Sequence, residues 1–324
     1  MVNIQLGKTP LTVSRIGFGA WAIGGSWGTQ SDSESMKALH VAADSGITFF
    51  DTAASYGNGK SEELLGRFKQ ERDEQITIAT KIPPAPGKWP PSPYCEQNLR
   101  FPKEYLISKL EERLRLLKTD CLDLLQIHTW TRAWNANPET FEILQEIKTQ
   151  GKIKSIGIST PEHDQNSVID LIKSGKIDSV QLIYNIFDQE AAAELLPVCK
   201  EYGIGVIVRV VFDEGSLTGK FDSNYQFEKD DFRNRYFAGD RLERTVKRVD
   251  AIKPIAEKLK LSMPELAVRF SLSHEAVHTV ITGIRTEQQA KMNALIGDKE
   301  PLPKEIIKEL QEHAWNRAFW YSGK

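Results

Sequence analysis

The chain reads as an α/β protein, a single (β/α)8 barrel with a short N-terminal β-hairpin and a C-terminal tail over the mouth. Three observations support this. Eight short, β-rich apolar runs alternate with longer amphipathic segments along the 324 residues. Most of the runs are nearly continuously apolar, as strands covered on both faces must be. Their spacing is regular, which favours a closed barrel over an open doubly wound sheet, and the length exceeds the roughly 250 residues such a barrel needs. Residues 1–324 are therefore expected to form one domain.

The predicted strands are IGFG (16–19), ITFFD (47–51), ITIATK (76–81), LDLLQIH (122–128), IKSIGIS (153–159), DSVQLIY (178–184), GVIVRV (205–210) and VHTVITG (277–283). Between the first two, Ser31 and Glu34 stand in capping-box spacing before a helix that ends at Gly46. Further helices are expected over 103–117, 138–151 and 191–203. Residues 2–16 read as a hairpin ahead of the barrel, and PPAPGKWPPSP (83–93) is too rich in proline for a helix interior. Residues 211–240 follow the seventh strand without a clean period. Loops at strand C-termini build the active sites of barrels, so this one is a candidate functional segment.

Composition narrows the function. With 40% hydrophobic and 27% charged residues and a net charge of -2, the chain lies far from the disordered regime and offers no basic surface for nucleic acid. No apolar stretch approaches the ~18 residues that cross a bilayer. The first residues carry no secretory pattern, and three scattered cysteines (Cys95, Cys121, Cys199) suit a reducing compartment. A cytoplasmic protein with a small-molecule partner is expected, a monomer by default. A metal-dependent hydrolase would need clustered ligands, and six dispersed histidines without an HxH pair do not supply them.

Four polar residues stand at or just beyond the ends of consecutive strands: Asp51, Tyr56, Lys81 and His128. In a barrel all four can face one mouth. A ketone accepts hydride at carbon only if its oxygen is protonated or strongly hydrogen-bonded as charge builds. A tyrosine can donate that proton, although its usual pKa of about 10 makes it reluctant near neutrality. An adjacent ammonium is expected to lower that value, and a carboxylate to hold the ammonium. Lys81 and Asp51 suit those roles, and His128 suits orienting the carbonyl or relaying a proton.

The segments GFGAWAIGG, DTAASYGNGKSEELLG, ATK, DLLQIH, IKSIGIS, VQLIYN, EGSLTGK and ITGIRTEQQAKMN, in this order, resemble the aldo-keto reductase family over nearly the whole chain. The likeness is closest to bacterial-type members. It implies a TIM barrel, an NADP(H) cofactor, and a tetrad of Tyr56 as acid, Lys81 and Asp51 as its tuners, and His128 as carbonyl orienter. It also implies a nicotinamide site at Ser159, Thr160 and Gln181, with Ala20, Trp21, Asp51, Val210 and Phe212 nearby. Thr160 departs from the family's Asn and is equally placed to cap a helix beginning at Pro161. Arg209 replaces a stacking Tyr; it either stacks on the ring, favouring NADPH over NADP+, or joins a buried ion pair. The resemblance assigns the pyrophosphate to Gly215, Leu217, Gly219 and Lys220. It assigns the adenosine end to Gly283, Arg285, Thr286, Gln289 and Asn293, where a capping box of Thr286 and Gln289 is the alternative. A regulatory, nucleotide-sensing barrel with little turnover is the competing reading.

Gly17-Phe-Gly-Ala-Trp-Ala22 also fits a short dinucleotide fingerprint, but no helix begins where that motif needs one. The substrate pocket is expected to involve Trp21, Tyr56, Trp89, His128 and Trp130, with Trp27, Trp134 and the tail HAWNRAFWYSGK as further candidates.

Overall fold

The computed structural model describes residues 1–25 and 27–317. Two short strands, β1 (Asn3–Gln5) and β2 (Thr12–Ser14), pair antiparallel as the expected hairpin. Eight parallel strands follow: β3 (Ile16–Gly19), β4 (Phe49–Asp51), β5 (Thr77–Ile82), β6 (Leu122–His128), β7 (Ile153–Ser159), β8 (Ser179–Ile183), β9 (Gly205–Arg209) and β10 (Thr279–Gly283). They pair in chain order and close through β10 against β3. All eight predicted runs are strands of this barrel.

The period-two alternation of a strand explains where the core ends and the chemistry begins. Phe49, Ala79, Leu124, Ile207 and Ile281 form one apolar cluster with Leu6, Leu11 and Val13 of the hairpin, which plugs that end of the barrel. Two residues further along the same strands stand Asp51, Lys81, Gln126, Arg209 and Gly283. The barrel interior thus turns from apolar to polar over a single pleat, toward the strand C-termini. Alternate residues such as Phe18, Phe50, Ile78, Leu125, Val180 and Val208 belong to the larger cluster beneath the helices.

The expected capping box is present: Glu34 N–H donates to Ser31 Oγ (3.2 Å) and Ser31 N–H to Glu34 Oε2 (3.0 Å), opening helix Asp32–Asp44. Helices Lys103–Leu116, Glu139–Thr149 and Leu195–Tyr202 occupy the other expected segments. Between β9 and β10 the chain adds helices Arg241–Leu259 and Met263–Leu272, for which no expectation was drawn. Among the described residues no helix is long and apolar enough to cross a membrane. The tail is described as far as Arg317, and its residues 318–324 lie outside the described set.

Candidate active site

Strand register brings the tetrad together. Asp51 and Ala79 are neighbours across β4 and β5, and Lys81 and Gln126 across β5 and β6. His128, Ser159 and Gln181 align across β6, β7 and β8. Tyr56 lies in the turn after β4, where a side chain at Gly57 (φ 61°) would come within 2.2 Å of the Gly24 carbonyl. That close approach seats the Tyr56 turn against the segment after β3. Ser61 Oγ secures the same junction by donating to the Ala20 carbonyl (2.9 Å).

Lys81 is wholly buried, and its ammonium distributes three hydrogen bonds. It donates to Asp51 Oδ2 (2.6 Å), to the Thr52 carbonyl (2.8 Å) and to the Tyr56 hydroxyl oxygen (3.2 Å). An ammonium has three donors, so none is left over. The second oxygen of Asp51 accepts from Gln181 Nε2 (2.7 Å) and Gln126 Nε2 (3.4 Å). The carboxylate is thereby fixed on both sides.

Burial pushes Lys81 toward neutrality, but Asp51 and Tyr56 outweigh it, and its pKa ends above the ordinary lysine value. The ammonium stays charged. For Tyr56 the balance runs the other way, because burial raises the phenol above its usual value and the opposing pull of Lys81 does not overcome it. The expectation of a net lowering is therefore corrected. In the free site the phenol is held protonated, as a donor must be, and Lys81 is placed to stabilise the anion formed when the proton leaves. Burial, followed by the charges of Lys81 and Arg209, pushes His128 down to about 3. A neutral imidazole can hydrogen-bond a carbonyl, whereas relay through an imidazolium is disfavoured. Its ring stands edge-on to that of Tyr56, with centroids 6.4 Å apart.

The aromatic candidates separate into two groups. Trp21 stacks near Tyr56 (6.0 Å) and meets Trp27 edge-on (5.5 Å), so both belong to the mouth. Trp130 is fully buried, donates from Nε1 to Asn135 Oδ1 (2.7 Å), and packs on Trp134 (5.2 Å) and Phe141 (5.0 Å). Its assignment to the open pocket is corrected, since its surface is spent in packing. Trp89 lies near Trp134 (6.3 Å) in the same outer group. Phe232, from the segment after β9, was not foreseen; its ring packs tilted against Trp21 (4.7 Å) and edge-on to Trp27 (4.9 Å). No local pattern in 211–240 signalled this contact.

Around this centre the remaining candidates take definite places. Thr160 donates its hydroxyl toward Gln165 Oε1 and the Gln181 carbonyl (both 3.3 Å), and the next helical turn starts only at Gln165. The capping alternative for Thr160 is thereby removed. Arg209 donates to the Thr160 carbonyl (3.1 Å) and pairs loosely with the largely exposed Glu162 (3.4 Å). Among the described residues its Nε is buried without a partner, as is Oε1 of Gln181. Thr286 Oγ1 accepts from Gln289 N–H (3.2 Å), but Gln289 Oε1 accepts from Arg285 N–H (2.8 Å) and not from Thr286, so the box is only half formed. Arg285 is engaged already, donating to Gln30 Oε1 (2.7 Å), the Trp27 carbonyl (2.6 Å) and the Thr29 carbonyl (2.7 Å). Asn293 is buried on the helix that follows.

Sequence reasoning also missed Arg233. It chelates Asp231 (2.5 Å from Nη2), lies over the Trp27 ring (4.6 Å), and would be 3.5 Å from a side chain at Gly215. Lys220 has its pKa lowered by burial first and then by the charges of Arg233 and Arg285. Three cations therefore converge near the Gly215–Lys220 turn, with Asp231 as partner to one of them.

A nicotinamide dinucleotide fits these residues. The orphaned Gln181 Oε1 can accept from a carboxamide, and the cation cluster offers counter-charge to phosphates. The short motif Gly17–Ala22 forms no dinucleotide turn: Gly17 and Gly19 are in β3, and the next α-helix begins at Asp32.

The family model for the aldo/keto reductase family matches residues 15–314. The aldo-keto reductase YhdN of Bacillus subtilis is 31% identical over 295 residues, covering 89% of this chain and 86% of its own length. The NADH-specific methylglyoxal reductase of Escherichia coli is 27% identical, over 90% of this chain and 92% of its own. The structure of the glycerol dehydrogenase from Gluconobacter oxydans superposes with a TM-score of 0.79 at 27% identity, covering 96% of this chain and 94% of that one. On this match and on the barrel itself, the chain belongs to the aldo/keto reductase family, a family of carbonyl-reducing oxidoreductases.

Proposed function

We propose that the chain reduces small aldehydes or ketones using NADPH, with Tyr56 as the proton donor. The observation that carries this reading is the Lys81 ammonium shared among Asp51, the Thr52 carbonyl and the Tyr56 hydroxyl at the barrel mouth. A bound reduced nicotinamide supplies hydride to the carbonyl carbon. Tyr56 holds its proton at Oη and gives it up as negative charge develops on the substrate oxygen. Lys81 stabilises the phenolate left behind, and Asp51 keeps the ammonium in place. Neutral His128 offers a hydrogen bond to the same substrate oxygen, and Trp21 forms an apolar wall beside it.

Ser159, Thr160 and Gln181 would hold the nicotinamide amide, with Arg209 against the ring. The Gly215–Lys220 turn, with Arg233, would take the pyrophosphate, and Arg285, Gln289 and Asn293 the adenosine end. Preference for NADPH rests on the cation cluster. Among the described residues Arg285 commits three of its five donors, which leaves two for a 2′-phosphate. Arg209 adds a second preference, because its charge is better tolerated by a neutral reduced ring than by a positively charged oxidised one.

Fluorescence titration with NADPH, NADP+ and NADH, followed by a panel of carbonyl compounds, tests the proposal. NADPH is expected to bind most tightly and to be consumed with an aldehyde or ketone. Replacing Arg285 with Ala should cost about tenfold in NADPH affinity, or about 1.4 kcal/mol, and leave NADH nearly unchanged. Tight NADPH binding with no turnover on any carbonyl would favour the sensor reading. Equal affinity for NADPH and NADH would remove the proposed phosphate preference.

A further inference from the structure

Beyond helix Lys304–Gln311 the chain returns to the barrel mouth. Trp315 fixes its path: the backbone N–H donates to the Phe187 carbonyl (2.7 Å), and the ring meets Phe187 edge-on (5.7 Å). Two residues later, Arg317 Nη1 donates to Asp213 Oδ1 (2.8 Å) and to the Tyr236 hydroxyl oxygen (3.0 Å). Asp213 is only 1% exposed, and its other oxygen accepts from Ser216 Oγ (2.9 Å). One guanidinium therefore joins the tail, the turn after β9, and the short helix Arg233–Tyr236.

The turn it reaches is strained. Val210 (φ 56°), Asp213 (φ 46°) and Glu214 (φ 55°) all occupy the left-handed region without being glycine. Each such residue carries a conformational cost and persists only where its surroundings enforce it. Two groups do so here. Asn185, fully buried, donates from Nδ2 to the Val210 carbonyl (2.8 Å) on one side. On the other, Arg317 neutralises the Asp213 carboxylate, which would otherwise be a buried anion satisfied by hydroxyl groups.

We propose that Arg317 is a positioning residue for the cofactor loop. Through Asp213 it holds residues 210–219 in the shape that receives the phosphates, so the C-terminal tail sets cofactor affinity without touching the reacting atoms. The inference rests on the proposed assignment of that turn to the dinucleotide. It differs from a purely structural staple, which would change stability alone.

The full-length chain and its Arg317→Gln, Arg317→Lys, Asp213→Asn and Asp213→Asn/Arg317→Gln variants are compared in three readouts. These are the NADPH dissociation constant by fluorescence, kcat at saturating NADPH with the best carbonyl substrate, and Tm. Arg317→Gln is expected to weaken NADPH binding about tenfold while kcat at saturation stays within about twofold. Arg317→Lys should restore most of the affinity, and the double variant should be no weaker than the worse single one, because the two side chains act as a unit. An unchanged dissociation constant in Arg317→Gln, with or without a fall in Tm, overturns the inference. So do additive losses in the double variant. If Arg317→Gln does not fold, the near-isosteric Asp213→Asn decides by the same criterion. Failure of the unaltered chain to bind NADPH would overturn the cofactor assignment and the inference together, a result distinct from normal binding by every variant.

Discussion

Adjacent residues of β5 anchor two buried ion pairs that look alike and behave differently. Lys81 faces into the barrel and meets Asp51 at 2.6 Å, with side-chain exposures of 0% and 1%. Thr80 faces the helical layer, where its hydroxyl donates to Glu62 Oε1 (2.5 Å) while Arg113 Nε donates to Glu62 Oε2 (2.7 Å). Arg113 and Glu62 are 1% and 0% exposed. Distance and burial do not separate the pairs. Their remaining donors do. The third proton of Lys81 goes to Tyr56, a half-buried residue at the barrel mouth, whereas among the described residues Arg113 Nη1 is enclosed without a partner. Burial raises the Glu62 pKa despite Arg113, so that pair carries a desolvation cost with no reacting group attached. A buried pair is a functional candidate when its spare donor reaches a group that a ligand can also reach.

Lys81→Met should produce the largest effect, because it strikes both stability and rate. It leaves Asp51 buried without its cation, a loss of about 3–5 kcal/mol in urea unfolding. It also removes the stabiliser of the phenolate, with a fall in kcat of about 10²–10⁴. A fully active Lys81→Met enzyme would erase the distinction between the pairs.

Arg113→Met should be about as costly to stability, at about 3–5 kcal/mol, yet leave kcat within about twofold. Combining it with Glu62→Leu should recover much of the stability, since an apolar pair avoids the desolvation cost. A loss of kcat without a loss of stability would show that the outer pair also serves the chemistry.

The smallest effect expected is a flat pH profile. His128, at about 3, is neutral throughout the working range and gives no inflection near its ordinary value. Tyr56 must be protonated to act, so reduction is lost as pH rises through its pKa, and burial moves that loss above the ordinary tyrosine range. The kcat/KM for reduction should therefore be level between about pH 6 and 9. An inflection near pH 6.5 would return His128 to the role of proton relay.

The contrast also shows what the sequence could carry. All eight barrel strands and the Ser31–Glu34 cap were legible because continuous apolar runs and capping spacings are local signals. The clustering of Asp51, Tyr56, Lys81 and His128 was legible because they stand at or just beyond the ends of consecutive strands. The Glu62–Arg113 pair was not, since its partners lie 51 residues apart on two helices and each alone resembles a surface charge. Trp130 misled for a related reason: its residue type suits a pocket, while its complete enclosure by Trp134 and Phe141 is a tertiary fact. Arg233 and Phe232 lie in an aperiodic segment whose placement depends on contacts with Trp21 and Trp27. The direction of the Tyr56 shift depended on how deeply the phenol is enclosed, which spacing along the chain does not encode.

Single-turnover reduction of a carbonyl substrate by NADPH-loaded Tyr56→Phe tests the central claim most directly. The account predicts unchanged NADPH affinity and thermal stability, with the chemical step slowed by about 10²–10⁴. A Tyr56→Phe enzyme that reduces its substrate at the rate of the unaltered chain would contradict it.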